Sequence, residues 1–440
     1  MSNPEKTIAS ESSRAVSVDP VLAAAARVVM ERCDILGGVT DEAGRITRTF
    51  LSPATKRAQQ LVSDWMREAG LVVRVDAAGN VVGRREAGRV NEKGAEKTFA
   101  IGSHLDTVPN AGKYDGVLGI IAGVALAELL RNEPLPFSLE VVAFSEEEGV
   151  RFGRPYIGSH AYAGTLDPAW LKLADKEGVT IEEAIRHFGL DPAPLKTLKP
   201  RRDLLAYLEL HIEQGPALES KDEAVGIVTG IAAQTRMTLE VTGAAAHAGT
   251  TPMHLRHDAL TCAAEIILAI ETLARRKPSG VATVGHIEAG PNASNVVPAS
   301  VRFSLDVRHE FDVQQVEGVK FLLDAANEIA TRRGVKLSVL GRADFPSTAL
   351  RGSVPILQDS GALSGANGLM TSGAGHDAVI LAQVAPAAML FIRSPGGISH
   401  SPAEAVYERD VAMALAVAHD AIVSLSQNPV PLLSLTQEPS

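Results

Sequence analysis

Residues 98–130 read TFAIGSHLDTVPNAGKYDGVLGIIAGVALAELL and predict a strand, a polar loop and an apolar helix, in that order. His104 and Asp106 follow the apolar start of the strand, and the loop delivers a second aspartate, Asp115, in a turn that ends on a glycine. The loop is too polar to be part of a core. Histidine and carboxylate side chains without cysteine suit Zn²⁺, Mn²⁺ or a similar divalent ion. The stretch therefore indicates a metal site at the end of a buried strand.

The segments on either side of this stretch predict an α/β fold. Residues 71–84, LVVRVDAAGNVVGR, are typical of two short strands, and residues 138–149, SLEVVAFSEEEG, of a buried strand that ends in acids. Strands that alternate with helices favour a mostly parallel sheet with helices on both faces. Sites in such sheets collect beyond the carboxyl ends of the strands. We expect the side chains of His104 and of Glu146 to Glu148 to meet there.

A different pattern begins near Thr235 and predicts an inserted domain. The order there is strand, helix, two strands, helix and strand, which is the βαββαβ order of a ferredoxin-like α+β unit. The α/β pattern resumes afterwards with AAMLFIR and a last helix. We therefore predict a disordered tail over residues 1–20, a discontinuous α/β domain over residues 21–232 and 346–430, and an inserted domain over residues 233–345.

Composition excludes several classes of protein. The net charge of −10 gives no basic surface for nucleic acid or for an anionic membrane. The two cysteines, Cys33 and Cys262, suggest neither a disulfide framework nor a thiolate metal cluster. The first twenty residues lack the apolar segment of a secretory signal, and no apolar run is long enough to span a membrane. These features favour a cytoplasmic protein.

Four short segments concentrate side chains that can bind metal. They contain His104, Asp106 and Asp115; Glu146, Glu147 and Glu148; His211; and His400. Each segment alone has an ordinary interpretation, such as a surface histidine or a solvated acidic turn. Their joint occurrence at strand ends favours metal binding, and no HExxH, CxxC, GxSxG or P-loop pattern indicates another chemistry.

Eight longer motifs resemble one enzyme family. They are GSHLDTV, GKYDG, FSEEEGVRF, ELHIEQGP, AHAGTTPM, NASNVVP, SGAGHDA and GISHSPAE. They resemble the hydantoinase/carbamoylase branch of the dinuclear-zinc aminoacylase/carboxypeptidase superfamily, peptidase family M20, from about Arg27 to the last helix. Within that branch, ITRTFLSPATKRA, DWMREAGL and RSPGGISHSPAE look most like plant-type allantoate amidohydrolases. The resemblance implies a mostly parallel-sheet catalytic domain, with the insert serving dimerisation and substrate binding in a homodimer.

The resemblance also implies two divalent ions per subunit, Zn²⁺ or Mn²⁺. The implied ligands are His104, Asp115, Glu148, His211 and His400. Asp115 would bridge the ions, and Asp106 would hold the His104 ring in the correct tautomer. Aligning the acidic triplet on Gly149 makes Glu147 the general base and Glu148 the ligand, whereas a shift by one residue would change these roles. The base would take a proton from a metal-bound water, whose pKa falls to about 7, and return it to the leaving nitrogen.

Five further residues are implied substrate contacts. His247 would reach the active site of the partner subunit and stabilise the oxyanion, although the residues alone favour a polar side chain in a Gly-rich loop. Arg308 lies at the end of a strand and could be a surface charge, but its fork-shaped guanidinium suits a substrate carboxylate. Asn295, Gln214 and Gly375 are the remaining candidates. His376 and Asp377 are interpreted as supporting residues.

The implied activity is metal-dependent hydrolysis of the ureido C–N bond of a small carboxylate. Allantoate is the first candidate substrate, and N-carbamoyl-L-amino acids and N-carbamoyl-β-alanine are the alternatives. A peptidase or deacylase would share the metal ligands, but ELHIEQGP with NASNVVP favours the carbamoylase branch. A non-catalytic metal-binding module is disfavoured because Glu147, His247 and Arg308 are all present.

Overall fold

The computed structural model describes residues 19–88, 97–276, 280–358 and 368–427. The predicted tail, residues 1–20, lies outside these ranges except for its last two residues, and α1 begins at Pro20. The helices in these ranges are α1 (Pro20–Gly37), α2 (Pro53–Glu68), α3 (Val117–Leu129), α4 (Ile157–Ala163), α5 (Ile181–Phe188), α6 (Ala217–Ser220), α7 (Ala259–Ala274), α8 (Asp312–Arg332), α9 (Ala378–Leu381) and α10 (Glu408–Gln427). Among them, none combines the length and the apolar character that crossing a bilayer requires.

Sixteen strands are present in the described ranges and form two main sheets and one small sheet. The strands are β1 (Val72–Val75), β2 (Val81–Arg85), β3 (Thr98–His104), β4 (Ser138–Phe144), β5 (Leu204–Ile212), β6 (Val225–Ile231), β7 (Ala233–Thr242), β8 (Ala246–His247), β9 (Gly280–Thr283), β10 (Ile287–Gly290), β11 (Val296–Val297), β12 (Ser300–His309), β13 (Lys336–Phe345), β14 (Thr348–Ala349), β15 (Leu369–Ser372) and β16 (Ala387–Ile392).

The larger sheet has the strand order β1-β2-β4-β3-β5-β16-β6-β14, with β15 also paired to β6. Its centre, β4-β3-β5-β16, is parallel, and the flanking pairs β2–β4 and β16–β6 are antiparallel. Every residue of the four central strands is buried, as expected for strands with a covered sheet on both faces. Helices α1, α3 and α10 pack together against one face, and α4 and α9 contribute to the core on the other. The predicted α/β class is confirmed.

Helix α3 packs closely against the sheet through two glycines, Gly119 and Gly123. All residues from 117 to 127 are buried, so the helix has no polar face. A Cβ on Gly119 would lie 2.1 Å from the carbonyl oxygen of Leu210 in β5, and one on Gly123 would lie 3.2 Å from Ile101 Cγ2 in β3. Only glycine permits this approach. It holds the start of α3, and with it Asp115, beside the carboxyl ends of β3 and β5.

The second sheet is antiparallel, with the order β10-β12-β7-β13 and β9 paired to β12. Burial alternates along β7 and β12, because one face of each strand packs against α7 and α8 around a separate core. Apart from the short strands β8 and β11, the element order is β7-α7-β9-β10-β12-α8-β13. The predicted strand over residues 281–290 is divided into β9 and β10, which both pair with β12, and the rest follows the predicted ferredoxin-like order. The separate α+β unit is therefore confirmed as part of the fold class. The exact boundaries at residues 232/233 and 345/346 stay a prediction.

Candidate metal centre and active site

The five predicted metal ligands converge at the carboxyl ends of the parallel strands. His104 is the last residue of β3, and His211 is the last but one of β5. Glu148 follows β4, and His400 lies on the loop after β16. Asp115 lies in the turn that starts α3. Parallel strands end at the same edge of a sheet, so the fold brings together residues that are almost 300 positions apart.

Asp115 lies between two groups of these side chains. Its Oδ1 is 3.2 Å from His211 Nε2 and 3.7 Å from His104 Nε2. Its Oδ2 is 3.0 Å from His400 Nε2, which in turn is 3.6 Å from Glu148 Oε1. In a tetrahedral zinc site with bonds of about 2.0–2.1 Å, neighbouring ligand atoms lie about 3.3–3.4 Å apart. The observed separations bracket that spacing, so the donor set fits a divalent metal.

The tautomers of the two buried histidines support the same conclusion. His104 Nδ1 donates to the carbonyl oxygen of Asp106 at 3.0 Å, and His211 Nδ1 donates to the carbonyl oxygen of Ile212 at 2.9 Å. A carbonyl oxygen only accepts hydrogen bonds, so each Nδ1 carries a proton. Each Nε2 then faces Asp115. Histidines that bind metal usually make this kind of hydrogen bond through their other nitrogen.

A γ-turn holds Asp115 in place. Gly116 has φ 67° and ψ −52°, and the Val117 N–H donates to the carbonyl oxygen of Asp115 at 2.7 Å. This backbone conformation is strained for any residue with a side chain. A Cβ on Gly116 would also lie 2.4–2.5 Å from three ring atoms of His104. Glycine is therefore required here for both reasons.

Glu404 supports the same turn, and sequence reasoning did not single it out. One of its carboxylate oxygens accepts from the Tyr114 N–H at 2.7 Å and from the Asp115 N–H at 3.0 Å. The side chain is buried, and its other oxygen has no hydrogen-bond partner among the described residues. Its only sequence signal is its place four residues after His400 in GISHSPAE. Glu404 therefore connects the loop of one predicted ligand to the turn of another.

Asp106 contacts both His104 and the acidic segment. Its Oδ1 lies 3.6 Å from His104 Nδ1. The same carboxylate accepts from the backbone N–H groups of Glu147 at 3.0 Å and Glu148 at 3.2 Å. Asp106 thus fixes the position of the acidic turn, and the role of its carboxylate in orienting the His104 ring stays a prediction.

The three glutamates of that turn point in different directions. Glu146 Oε1 accepts from the Gly149 N–H at 2.5 Å, so this side chain folds back onto its own loop. Glu147 and Glu148 instead have carboxylate oxygens within 4.8 Å of a His104 nitrogen. The division of the roles of base and ligand between them stays a prediction.

Burial sets the electrostatics of the cluster. It raises the pKa of Glu147 well above its usual range and that of Glu148 to about 7. Burial also opposes the charge of Asp115, but hydrogen bonds from His104, His211 and His400 lower the pKa of Asp115 well below its usual range. The centre thus concentrates carboxylates that burial disfavours in their charged form. A divalent cation would offset this penalty.

His376 and its neighbours support the cluster from behind. The His376 ring meets the His211 ring edge to face at 4.5 Å, and its Nε2 lies 2.9 Å from Ser372 Oγ. Burial, followed by the charge of His211, lowers the pKa of His376 well below its usual range, so the ring is neutral. Asp377 is also fully buried. Both positions suit the predicted supporting role.

The predicted substrate contacts lie in three places. Gln214 Nε2 donates to both oxygens of Asp115, at 3.1 and 3.2 Å. Arg308 donates to Asp306 Oδ1 at 3.0 Å and Oδ2 at 2.9 Å, and also to the carbonyl oxygen of Gly373. It therefore joins the second sheet to the loop that contains Gly375.

His247 is the last residue of β8, and Asn295 immediately precedes β11, its partner in the small sheet. The Ala248 N–H donates to the carbonyl oxygen of Asn295 at 2.9 Å, and both predicted residues are exposed. His247 Nδ1 accepts from the Gly249 N–H at 3.1 Å, so Nε2 is the ring nitrogen left to donate. No hydrogen bond or ion pair in the described part of the chain connects either side chain to the five predicted ligands.

Tyr156 is a second residue that sequence reasoning missed. It precedes α4 in a left-handed conformation, with φ 68° and ψ 21°. Such a conformation costs on the order of 1–3 kcal/mol for a residue other than glycine. Its N–H donates to the carbonyl oxygen of Glu147 at 3.2 Å, and a Cβ on Gly375 would lie 1.9 Å from its hydroxyl oxygen. No sequence pattern marks this tyrosine.

Comparisons with known proteins agree with this geometry. The profile of Peptidase family M20/M25/M40 matches residues 100–424. An allantoate deiminase of Arabidopsis thaliana is 37% identical over 415 residues, which cover 86% of this chain and 78% of the plant protein. An N-carbamoyl-L-amino acid amidohydrolase of Geobacillus stearothermophilus is 39% identical over 398 residues, covering 87% of this chain and 94% of the relative.

A solved structure is similar over almost its whole length. The crystal structure of a hydantoinase/carbamoylase family amidase from Burkholderia multivorans superposes with a TM-score of 0.83 at 31% identity, and covers 93% of this chain and 98% of the amidase. The fold, the convergence of histidine and carboxylate side chains and these matches lead to one assignment. The chain belongs to the M20/M25/M40 peptidase family, within its hydantoinase/carbamoylase branch.

Proposed function

We propose that this protein is a dinuclear metal amidohydrolase that cleaves the ureido C–N bond of a small carboxylate, with allantoate as its preferred substrate. The observation that carries the proposal is the position of Asp115, whose two oxygens face different groups of ligands. The relatives named allantoate deiminase and N-carbamoyl-L-amino acid amidohydrolase support this reaction class. N-carbamoyl-L-amino acids and N-carbamoyl-β-alanine are the alternative substrates.

Two Zn²⁺ or Mn²⁺ ions would share Asp115. His104 and His211 would complete one site, and His400 and Glu148 the other, as their separations support. When bound, such ions polarise the substrate carbonyl and lower the pKa of water. The protein side chains would transfer the proton and bind the substrate carboxylate.

Glu147 would move the proton. Its carboxylate lies within 4.8 Å of ligand atoms of His104 and Glu148, and its backbone is fixed by Asp106. It would take a proton from the attacking water and deliver it to the leaving nitrogen. The tetrahedral intermediate would then collapse with release of the amine.

Arg308 and Asn295 would anchor the substrate carboxylate. The Arg308 guanidinium presents donors in a fork that matches a carboxylate, as its two hydrogen bonds to Asp306 illustrate. Gln214 and Gly375 would line the same space. Gln214 already contacts Asp115, which supports a place beside the metal ions.

We further propose that the active form is a homodimer in which His247 acts in the partner's site. His247 is exposed and presents Nε2 as its free donor, which suits stabilisation of an oxyanion. The domain over residues 233–345 would provide the dimer contact. His247→Ala and Glu147→Gln should each be inactive, and mixed dimers of the two should regain partial activity, since one site then has both groups. Failure in verified mixed dimers would mean that each subunit builds its own site.

A hydrolysis panel tests the substrate. Metal-depleted protein, with and without added Mn²⁺ or Zn²⁺, is assayed on allantoate, N-carbamoyl-L-amino acids, N-carbamoyl-β-alanine and a dipeptide. We expect metal-dependent turnover with the highest kcat/KM on allantoate. Full activity without metal would contradict the dinuclear mechanism. Turnover of the dipeptide alone would mean that the protein is a peptidase instead.

A further inference from the structure

The hydroxyl of Tyr156 is a hydrogen-bond donor without a partner in the described part of the chain. The hydroxyls of two buried tyrosines are paired within the chain: Tyr162 donates to Glu140 Oε2 at 2.5 Å, and Tyr207 donates to the carbonyl oxygen of Gly102 at 2.9 Å. Tyr156 is only half-buried, so without a bound molecule its hydroxyl can bond to solvent. The Tyr156 hydroxyl is therefore available to a bound molecule.

Two contacts connect Tyr156 to the segments of the proposed base and of the proposed anchor. The Tyr156 backbone N–H donates to the backbone carbonyl oxygen of Glu147, and a Cβ on Gly375 would lie 1.9 Å from the Tyr156 hydroxyl oxygen. Gly375 lies two residues after Gly373, whose carbonyl oxygen accepts from Arg308. Tyr156 therefore lies beside the segments that carry the proposed base and contact the proposed anchor.

The local backbone holds the Tyr156 ring beside Gly375. Tyr156 adopts positive φ, and its carbonyl oxygen accepts from the His160 N–H at 2.9 Å in the first turn of α4. Gly375 provides the space for the hydroxyl, since any Cβ there would overlap it. Strained residues that persist in this way cluster at sites of function.

We propose that Tyr156 is a specificity-determining residue that donates a hydrogen bond to a second polar group on the carbon that carries the ureido group. Allantoate carries two ureido groups on the carbon next to its carboxylate, so the uncleaved one offers a carbonyl oxygen. An N-carbamoyl amino acid with an apolar side chain offers no acceptor, and the hydroxyl would stay unpaired. Sites that lose a buried hydrogen bond in this way discriminate strongly. This inference rests on the proposed function and adds the basis of substrate choice.

Tyr156→Phe tests the inference because it removes only the hydroxyl. The measured quantity is the ratio of kcat/KM for allantoate to kcat/KM for N-carbamoyl-L-leucine. We expect this ratio to fall about 5- to 100-fold, the range for a buried polar group that loses its only partner. Tyr162→Phe is the matched control, since it removes the hydroxyl of a nearby tyrosine in α4 whose partner is Glu140, and it should leave the ratio unchanged. Metal content, measured by elemental analysis, should stay at the wild-type value in both variants.

Gly375→Ala provides an independent test of the same contact. Its Cβ should displace the hydroxyl and lower the ratio in wild type, but it should lower the ratio much less in the Tyr156→Phe background. An unchanged ratio in Tyr156→Phe, or full additivity of the two substitutions, overturns the inference while the proposed function stands. If wild type hydrolyses neither compound, the proposed function fails and the inference fails with it.

Discussion

Gly116→Ala should weaken metal binding by displacing a predicted ligand. The new Cβ would lie 2.4–2.5 Å from three atoms of the His104 ring, about 1 Å short of the 3.5–4.0 Å optimum for carbon atoms. The ring cannot swing aside freely, because its Nδ1 is bonded to the carbonyl oxygen of Asp106. Relief must therefore move either His104 Nε2 or the Asp115 carboxylate.

The expected size of the effect has two parts. The conformation of Gly116, with φ 67° and ψ −52°, should cost alanine about 1–3 kcal/mol. Overpacking against His104 should add about 1–3 kcal/mol, for a total of about 2–6 kcal/mol in the free energy of unfolding. Metal affinity should fall at least about 10- to 100-fold, the effect of disturbing residues that orient ligands.

Urea unfolding measures the loss of stability, and titration calorimetry with Mn²⁺ or Zn²⁺ measures the loss of metal affinity. Gly44→Ala is the matched control, because Gly44 also has positive φ, 78°, yet no atom lies within 4 Å of a Cβ placed there. It should lose only the backbone part of the stability and keep its metal affinity. Wild-type metal affinity in Gly116→Ala would refute the argument that His104 requires a glycine beside it.

Three other substitutions test the remaining parts of the site. Glu147→Gln should lower kcat about 10²- to 10⁴-fold and leave the metal content, measured by elemental analysis, unchanged. Loss of metal in this variant but not in Glu148→Gln would mean that Glu147 is the metal ligand and Glu148 the base. Glu404→Gln should lower the metal affinity measured by calorimetry about 10- to 100-fold, because the side chain that binds the Asp115 turn becomes a weaker acceptor. An unchanged metal affinity would contradict this role of Glu404. Arg393→Met should lower the free energy of unfolding in urea by about 3–5 kcal/mol, because it leaves Asp410, which is 1% exposed, without its bidentate partner. A loss under 1 kcal/mol would mean that the Arg393–Asp410 ion pair contributes little to stability.

The sequence predicted the parts of the site that follow from strand order. His104, Glu148 and His211 each lie at or just beyond the end of a predicted strand, and parallel strands end at one edge. Asp115 could be placed there because its turn lies between a strand and the helix that crosses back. The ferredoxin-like unit was predictable because its strands alternate in burial and its helices are long.

The missed features depend on contacts that no local pattern records. Glu404 lies 289 residues from Asp115 in sequence, and its carboxylate acts on backbone N–H groups rather than on side chains. Tyr156 lies beside Gly375 and has a left-handed backbone angle, which is rare for tyrosine. Asp106 also accepts hydrogen bonds from the backbone of the acidic turn, and these bonds depend on how that turn folds over the Asp106 carboxylate. The predicted role of His247 depends on the assembly of two chains, which the fold of one chain does not determine.

The position of β16 has a consequence for how the newly made chain matures. This strand inserts between β5 and β6, with Met389 paired to both Glu209 and Val228. The ribosome must therefore complete more than 150 further residues before the middle of the sheet closes. His400 and Glu404 follow that strand, so during synthesis the nascent chain holds only part of its cation-binding side chains. Strand pairings between residues so far apart in sequence form slowly. Metal binding at full affinity is therefore one of the last steps in the folding of the newly synthesised chain.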